Sequence, residues 1–225
     1  MKEKLTEELI AMRAARELAP GDYCNLGIGV PLNCANVAPE GVMFQSENGV
    51  LGHGPPYDSE NIEQHVEQID WDVVDAGMRY LSYAPGMSFF DMLTSFAMIR
   101  SGRLISILGG LQVSEKGDVA IHSLSEENIA AKIGGSMDLT WGARRLIITM
   151  THCSKDGSPK IVRELTMPLT IKGRVNLIVT DLAVIDVTSS GLVLKEVAPG
   201  WTTEEVQAQT GATLRIGPDV HEMEF

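Results

Sequence analysis

Cysteine is scarce in this chain, and the three present, Cys24, Cys34 and Cys153, are odd in number and far apart. Without a CxxC pair or Cys/His spacing they exclude a disulfide frame and a zinc site, and they fit reduced thiols acting as small buried hydrophobes. Positive charge is also short: 18 Lys plus Arg stand against 30 Asp plus Glu, a net of −12. Such a surface repels nucleic acid and anionic membranes over most of its area. No apolar run reaches the roughly 18 residues that span a bilayer. The start, Met1-Lys2-Glu3-Lys4, leads into an amphipathic, acid-containing segment instead of an apolar signal core, so a soluble cytoplasmic protein is expected. The five histidines lack metal-site spacing, and no Gly-x-Ser-x-Gly elbow supports a serine hydrolase. Internal repeats, low-complexity tracts and Pro- or Gly-rich linkers are missing too.

What remains is 225 residues, 44% hydrophobic, enough to bury one α/β core. Leu5, Leu9, Met12 and Ala15 recur at helical spacing, and Pro20-Gly21 stops that first helix. Tyr23 to Leu26 reads as a strand ending at Gly27-Ile28-Gly29, with Pro31 opening a short helix through Asn36. A polar, acidic stretch follows from Tyr57 to Asp72, with Ser59 to Gln68 as a short surface helix. A strand over Arg79 to Tyr83, a helix over Ser88 to Arg100 and a strand over Leu104 to Leu108 make a parallel crossover. Glu115-Lys116-Gly117-Asp118 turns a hairpin, Gly134-Gly135 opens a short helix, and Arg144 to Met150 is an apolar strand. Strands are expected over Asn176 to Thr180, Ala183 to Val187 and Leu192 to Val197. A capping box, Thr202 with Glu205, starts a helix that Gly211 ends, and Thr213 to Ile216 is the last strand. The alternation predicts a three-layer α/β fold: an open, mostly parallel sheet with helices on both faces. It forms one domain over 1–225 with a loosely ordered tail at 217–225.

Three features have functional readings beside structural ones. Val42-Met43-Phe44 is a strand-like run that stops at the polar corner Ser46-Glu47-Asn48-Gly49, before the irregular Gly52 to Pro56. It displays a carboxylate at a strand end, either a solvated charge or a catalytic group. A glycosidase pair of Glu47 with Glu60 has no fixed separation and almost no aromatic platform nearby. Gly27-Ile28-Gly29 is a tight turn or a close backbone approach to a ligand, and Leu32 at the third position rules out the dinucleotide fingerprint. The Gly134-Gly135 helix start is simple packing or an anion or oxyanion site.

Phe44 to Gly52 resembles the active-site signature of the family I coenzyme A transferases. So do Asn25 to Gly29, Ser95 to Arg100, Gln112 to Ser114, Gly134-Gly135 with Met137 to Leu139, Lys155 to Lys160 and Thr180 to Val184, in family order. The likeness runs from about Leu5 to Ile216 and is similar in kind to the beta (B) subunits of the two-polypeptide 3-oxoacid and acetate enzymes. It implies a covalent role for Glu47, with a glutamyl-CoA thioester in a ping-pong transfer to a short-chain or 3-oxo acid, and an oxyanion donor in Gly135. It further implies coenzyme A contacts at Asn25, Gly27, Gly29, Ser46, Asn48, Gly49, Gln112 and Gly134. Coenzyme A or acyl-CoA is then a substrate, no cofactor is held permanently, and the partner is an alpha subunit in an alpha2beta2 assembly that supplies positive charge. An acyl-CoA hydrolase using the same glutamate, and a non-catalytic binding or regulatory subunit, are the alternatives. The chain departs from the family at Asp75 and Met78, where many relatives have Asn and Lys, and at Ile121-His122, where many have Asn-Trp. These changes point to an altered substrate pocket.

Overall fold

The computed structural model describes residues 2–57, 62–127 and 133–225. One ten-stranded sheet organises them. Its central run consists of β1 (Tyr23–Leu26), β2 (Met43–Ser46), β5 (Ile105–Gly109), β8 (Arg145–Met150) and β10 (Val175–Thr180). These lie in the order β10-β8-β5-β1-β2, all parallel. The crossover from β2 to β5 passes through α2 (Met92–Ile99), and both strands flank β1. Antiparallel strands extend the two margins. Beyond β2 come β3 (Val50–Leu51) and β4 (Ser88–Phe89); beyond β10 come β11 (Ala183–Thr188) and β12 (Gly191–Val197). A separate three-stranded sheet joins β6 (Gln112–Ser114), β7 (Val119–Ala120) and β9 (Ile161–Val162), which contains the expected hairpin.

The period of β8 shows why the sheet is covered on both faces. Leu146, Ile148 and Met150 point into one apolar cluster, and Ile147 into another, because successive side chains alternate across a strand. The first cluster takes Ile99 of α2, Leu139 of α3 (Ser136–Trp141) and Val206 of α4 (Thr203–Ala208). The second takes Ile10, Ala11, Ala14 and Ala15 of α1 (Glu7–Ala15) with Cys34 of the 3-10 helix Val30–Asn36. Helices therefore cover both sides of a largely parallel sheet. The Thr202/Glu205 capping box is present at the start of α4. Among the described residues no helix is long and apolar enough to cross a membrane.

Three expectations are corrected. The tail is not loose: β13 (Leu214–Glu222) runs parallel to β12, and Met223 is buried in the second cluster. Pro218 lies within β13, and an edge strand tolerates proline because its N–H side has no ladder partner to lose. Arg79 to Tyr83 forms no strand, only single bridges from Tyr80 to Val74 and from Leu81 to Pro56. In the acidic stretch a one-turn 3-10 helix, Ile62–Gln64, is all that forms among the described residues, and part of the expected Ser59 to Gln68 helix lies outside them.

Candidate active site

Glu47 sits in a three-residue loop, Glu47-Asn48-Gly49, that turns β2 back into β3. Gly49 makes the turn possible. Its φ is +113°, its N–H donates to the Ser46 carbonyl at 3.0 Å, and a Cβ there would strike the Phe90 carbonyl. The loop is held from below by a buried relay. Asn25 Nδ2 donates to Gln45 Oε1 (2.5 Å) and to the Gln45 carbonyl (2.9 Å), Gln45 Nε2 donates to Ser95 Oγ (2.7 Å), and Ser95 Oγ donates to the Glu47 carbonyl (2.8 Å). It is held from the side by residues 74–76, where Ser46 Oγ accepts from Ala76 N–H at 2.8 Å and Asn48 Nδ2 donates to the Val74 carbonyl at 2.7 Å. Backbone placement is thus over-determined before any ligand arrives.

The Glu47 carboxylate is half-buried and rests directly against Gly135, the residue that caps α3. A Cβ on Gly135 would overlap Glu47 Oε2 and lie 3.3 Å from Phe96 Cζ. Burial, and then the negative charge of Asp138, push the Glu47 pKa above its ordinary value. Asp138 is itself paired with Arg100 Nε at 2.6 Å. The carboxylate opens on a cavity of about 510 Å³. The cavity lies at the carboxyl ends of the parallel strands, where open α/β sheets bind ligands. Its walls are mainly apolar, with Leu26, Ile28, Leu108, Leu111, Ile121 and Met150 among them.

The structure brings together some of the residues singled out from sequence and separates others. Glu47, Gly27, Gly134 and Gly135 line the cavity. Gly29, with φ +88°, caps the 3-10 helix beside it. Asn25, Ser46, Asn48 and Gly49 build the loop that carries Glu47 instead of lining the cavity themselves. Gln112 is elsewhere: it is buried, and its Oε1 accepts from Thr166 N–H at 2.7 Å. Of the departures, Ile121 is on the cavity wall, whereas Met78 is 75% exposed and outside it, with φ +64°. Asp75 clamps its own loop through Gly77 N–H, Arg79 N–H and Arg79 Nε. His122 Nδ1 faces Thr170 Oγ1 at 2.6 Å. Glu60 lies outside the described residues.

Sequence reasoning assigned no role to Gln45, Ser95 or Asp138. Periodicity places Ser95 on α2 but carries no sign that its hydroxyl reaches another element. Ser95→Ala should lower stability by about 1–2 kcal/mol, since it leaves Gln45 Nε2 short of a buried acceptor. It should also reduce kcat roughly tenfold through a loosened Glu47 loop. Denaturant melts read with steady-state kinetics check both, and Ser95→Thr should restore kcat in part.

A carboxylate desolvated against a glycine-marked helix start, on a cavity at the strand ends, makes this the candidate active site. The coenzyme A transferase profile matches residues 7–209, and the chain belongs to that family. It is an enzyme chain similar to the B subunit of the succinyl-CoA:3-ketoacid coenzyme A transferase of Helicobacter pylori, 41% identical over 211 residues, covering 93% of this chain and 98% of the relative. It is equally similar to the beta subunit of the acetate CoA-transferase of Escherichia coli K12, 41% identical over 218 residues and 96% of each chain. The fold matches the crystal structure of an acyl-CoA transferase from Escherichia coli O157:H7 with a TM-score of 0.72 at 20% identity, over 100% of this chain and 45% of that one.

Proposed function

We propose that this chain is the nucleophile-bearing half of a CoA transferase, working by a ping-pong route through a glutamyl-CoA thioester on Glu47. The observation that carries the reading is the Glu47 carboxylate: desolvated, held by a rigid loop and pressed against Gly135 at the wall of an apolar cavity.

Glu47 attacks the acyl thioester carbonyl; the C–S bond breaks, leaving an acyl-glutamyl anhydride and CoA thiolate. The thiolate then attacks the glutamyl carbonyl, releasing the donor acid and forming Glu47–CoA. The acceptor acid runs the same two steps in reverse, and no net proton is required. Carboxylate is a weak nucleophile, so the enzyme must gain from orientation and from oxyanion stabilisation, for which the Gly135 N–H is the candidate donor. Desolvation assists, because a raised pKa marks a carboxylate stripped of stabilising water. The carboxylate supplies the covalent chemistry itself, so coenzyme A is a substrate and no permanently bound cofactor is needed. The acceptor is a short-chain or 3-oxo acid, by likeness to the relatives named above.

The second half of the site comes from an alpha subunit, in an alpha2beta2 assembly. Relatives of full length are named as B or beta subunits. Phe89, Met92 and Leu93 are exposed beside the Glu47 loop, an apolar rim suited to a covering subunit. Three free, buried cysteines fit the reducing cytoplasm.

The direct test uses the chain co-expressed with its alpha subunit and incubated with acyl-CoA without acceptor. Mass spectrometry should find CoA on the peptide containing Glu47. An unmodified peptide in an enzyme that still turns over would exclude the covalent route, and thiol release without acceptor would indicate hydrolysis.

A further inference from the structure

α2 reaches the Glu47 region at three points. Ser95 Oγ donates to the Glu47 carbonyl, Phe96 Cζ stands 3.3 Å from where a Cβ on Gly135 would lie, and Arg100 caps the helix at its carboxyl end. The Arg100 guanidinium lies over the Phe96 ring, 5.6 Å from the centroid, and its Nε donates to Asp138 Oδ1 of α3 at 2.6 Å. The two helices meet closely beside this pair. Gly142, which caps the end of α3, has ordinary helical φ and ψ, yet a Cβ on it would overlap the Ile99 carbonyl and lie 2.9 Å from Arg100 Cα. Backbone contact therefore sets the distance that the Arg100 to Asp138 pair spans.

Asp138 lies three residues beyond Gly135, about one turn along, so the two share a side of α3. Gly135 is the residue Glu47 rests against. A second carboxylate thus stands close behind the first, and its charge opposes ionisation of Glu47. Among the described residues, the other elements around the loop bring charges of their own. Asp91 accepts from Thr94 N–H as the cap of α2, Asp75 is bonded to Arg79, His53 Nδ1 faces the Gly54 carbonyl, and the cavity wall carries Glu7 and Lys160. The ion-pair partner of Asp138 among them is Arg100.

We propose that Arg100 is a positioning residue for the Glu47 chemistry, acting through Asp138: it holds that carboxylate in an ion pair and cancels part of its charge where Glu47 must be ionised to attack. This rests on Glu47 as the nucleophile. The value of the pair is electrostatic more than structural. Its side chains are 55% and 31% exposed, and exposed pairs add little to stability. Glu47 is half-buried, so charges beside it are screened less than they would be in open water. The competing account is a clamp that merely keeps α2 on α3, and the two differ in sign.

With the assembled enzyme, Arg100→Gln should shift the acid limb of kcat/KM for acyl-CoA to higher pH and cost about three- to tenfold on that limb. Asp138→Asn should shift it to lower pH. In the Asp138→Asn background Arg100→Gln should move the limb no further, because the charge through which Arg100 acts is gone. Arg100→Lys should restore the limb in part. A clamp predicts the same direction, with lower Tm, for both single variants; that result, or an equal shift by Arg100→Gln in both backgrounds, overturns the assignment. Carbodiimide modifies protonated carboxyls, so the pH dependence of its labelling, followed by mass spectrometry of the peptide containing Glu47, reads the same protonation without turnover. If that dependence moves as stated while no CoA adduct forms on Glu47, the covalent reading fails and the role of Arg100 stands. If the adduct forms and neither the labelling nor the limb responds to Arg100→Gln, Arg100 has no such role and the covalent reading stands.

Discussion

Glu47→Gln, assembled with its alpha subunit, should fold, bind acyl-CoA and lose at least about 10^4-fold in kcat, as expected when a covalent nucleophile is removed and only binding and oxyanion contacts remain. The substitution keeps the shape that packs against Gly135 and removes the charge. Its stability should move the other way. Burial and Asp138 raise the folded-state pKa of Glu47, so the ionised form is the one the fold disfavours. A group shifted in that direction binds its proton more tightly folded than unfolded, and its contribution to stability falls as pH rises through and above the ordinary glutamate range. At neutral pH the glutamine variant, which has no charge to desolvate, should therefore be at least as stable as wild type, a trade of stability for activity. The same shift sets a pH profile: kcat/KM for acyl-CoA should fall on the acid side with a midpoint above that of an ordinary glutamate. Asp138→Asn removes the second cause of the shift and should move that midpoint down. A Glu47→Gln enzyme of wild-type activity, or an acid limb at the ordinary value, would sink the assignment.

How much of this was legible in the sequence depends on the range of the interaction that fixes each feature. Elements set by local pattern were readable: the apolar run of β8, the Thr202/Glu205 capping box of α4, and the Pro31 start of the 3-10 helix. The glutamate corner was readable as a corner, because Ser-Glu-Asn-Gly after an apolar run can do little else. Its closure as a hairpin with β3 was not, since two residues of strand carry no period. What stayed hidden is what long-range pairing decides. Gly217-Pro218 sits in an edge strand because β12 offers it a partner. Ser95 reaches Glu47 across 48 positions of chain. Gln112 and Asn25 show the converse. Both sit in segments that resemble the family's, yet their amides are spent on the protein's own backbone and side chains, Gln112 on Thr166 and Asn25 on Gln45. Segment likeness locates a region; it does not say which way a side chain in it points.

Gly135→Ala is the sharper of the two tests, because it keeps the carboxylate proposed as nucleophile and only shifts it. Gly135 has φ −82° and ψ 1°, a conformation open to alanine, so the backbone does not require glycine there. Space does. The added Cβ would overlap Glu47 Oε2, lie 3.1 Å from Glu47 Cδ, and find Phe96 Cζ at 3.3 Å on its other side. Phe96 packs against the core of the first cluster, so the carboxylate, at the end of a flexible side chain, is what gives way. A displacement on the order of 1 Å at a reacting atom costs about 100-fold. Gly135→Ala should therefore lose about 10²-fold in kcat/KM, slow formation of the CoA adduct to match, and keep a Tm close to wild type. Gly134→Ala provides the contrast. There nothing lies within 4 Å of a new Cβ, but φ is +47°, so alanine meets backbone strain and no neighbour. It should cost about 1 kcal/mol in stability and little in rate. Two adjacent glycines would thus separate, one by activity and one by stability, and a reversal of that pattern would mean that the Glu47 carboxylate does not react from its position against Gly135.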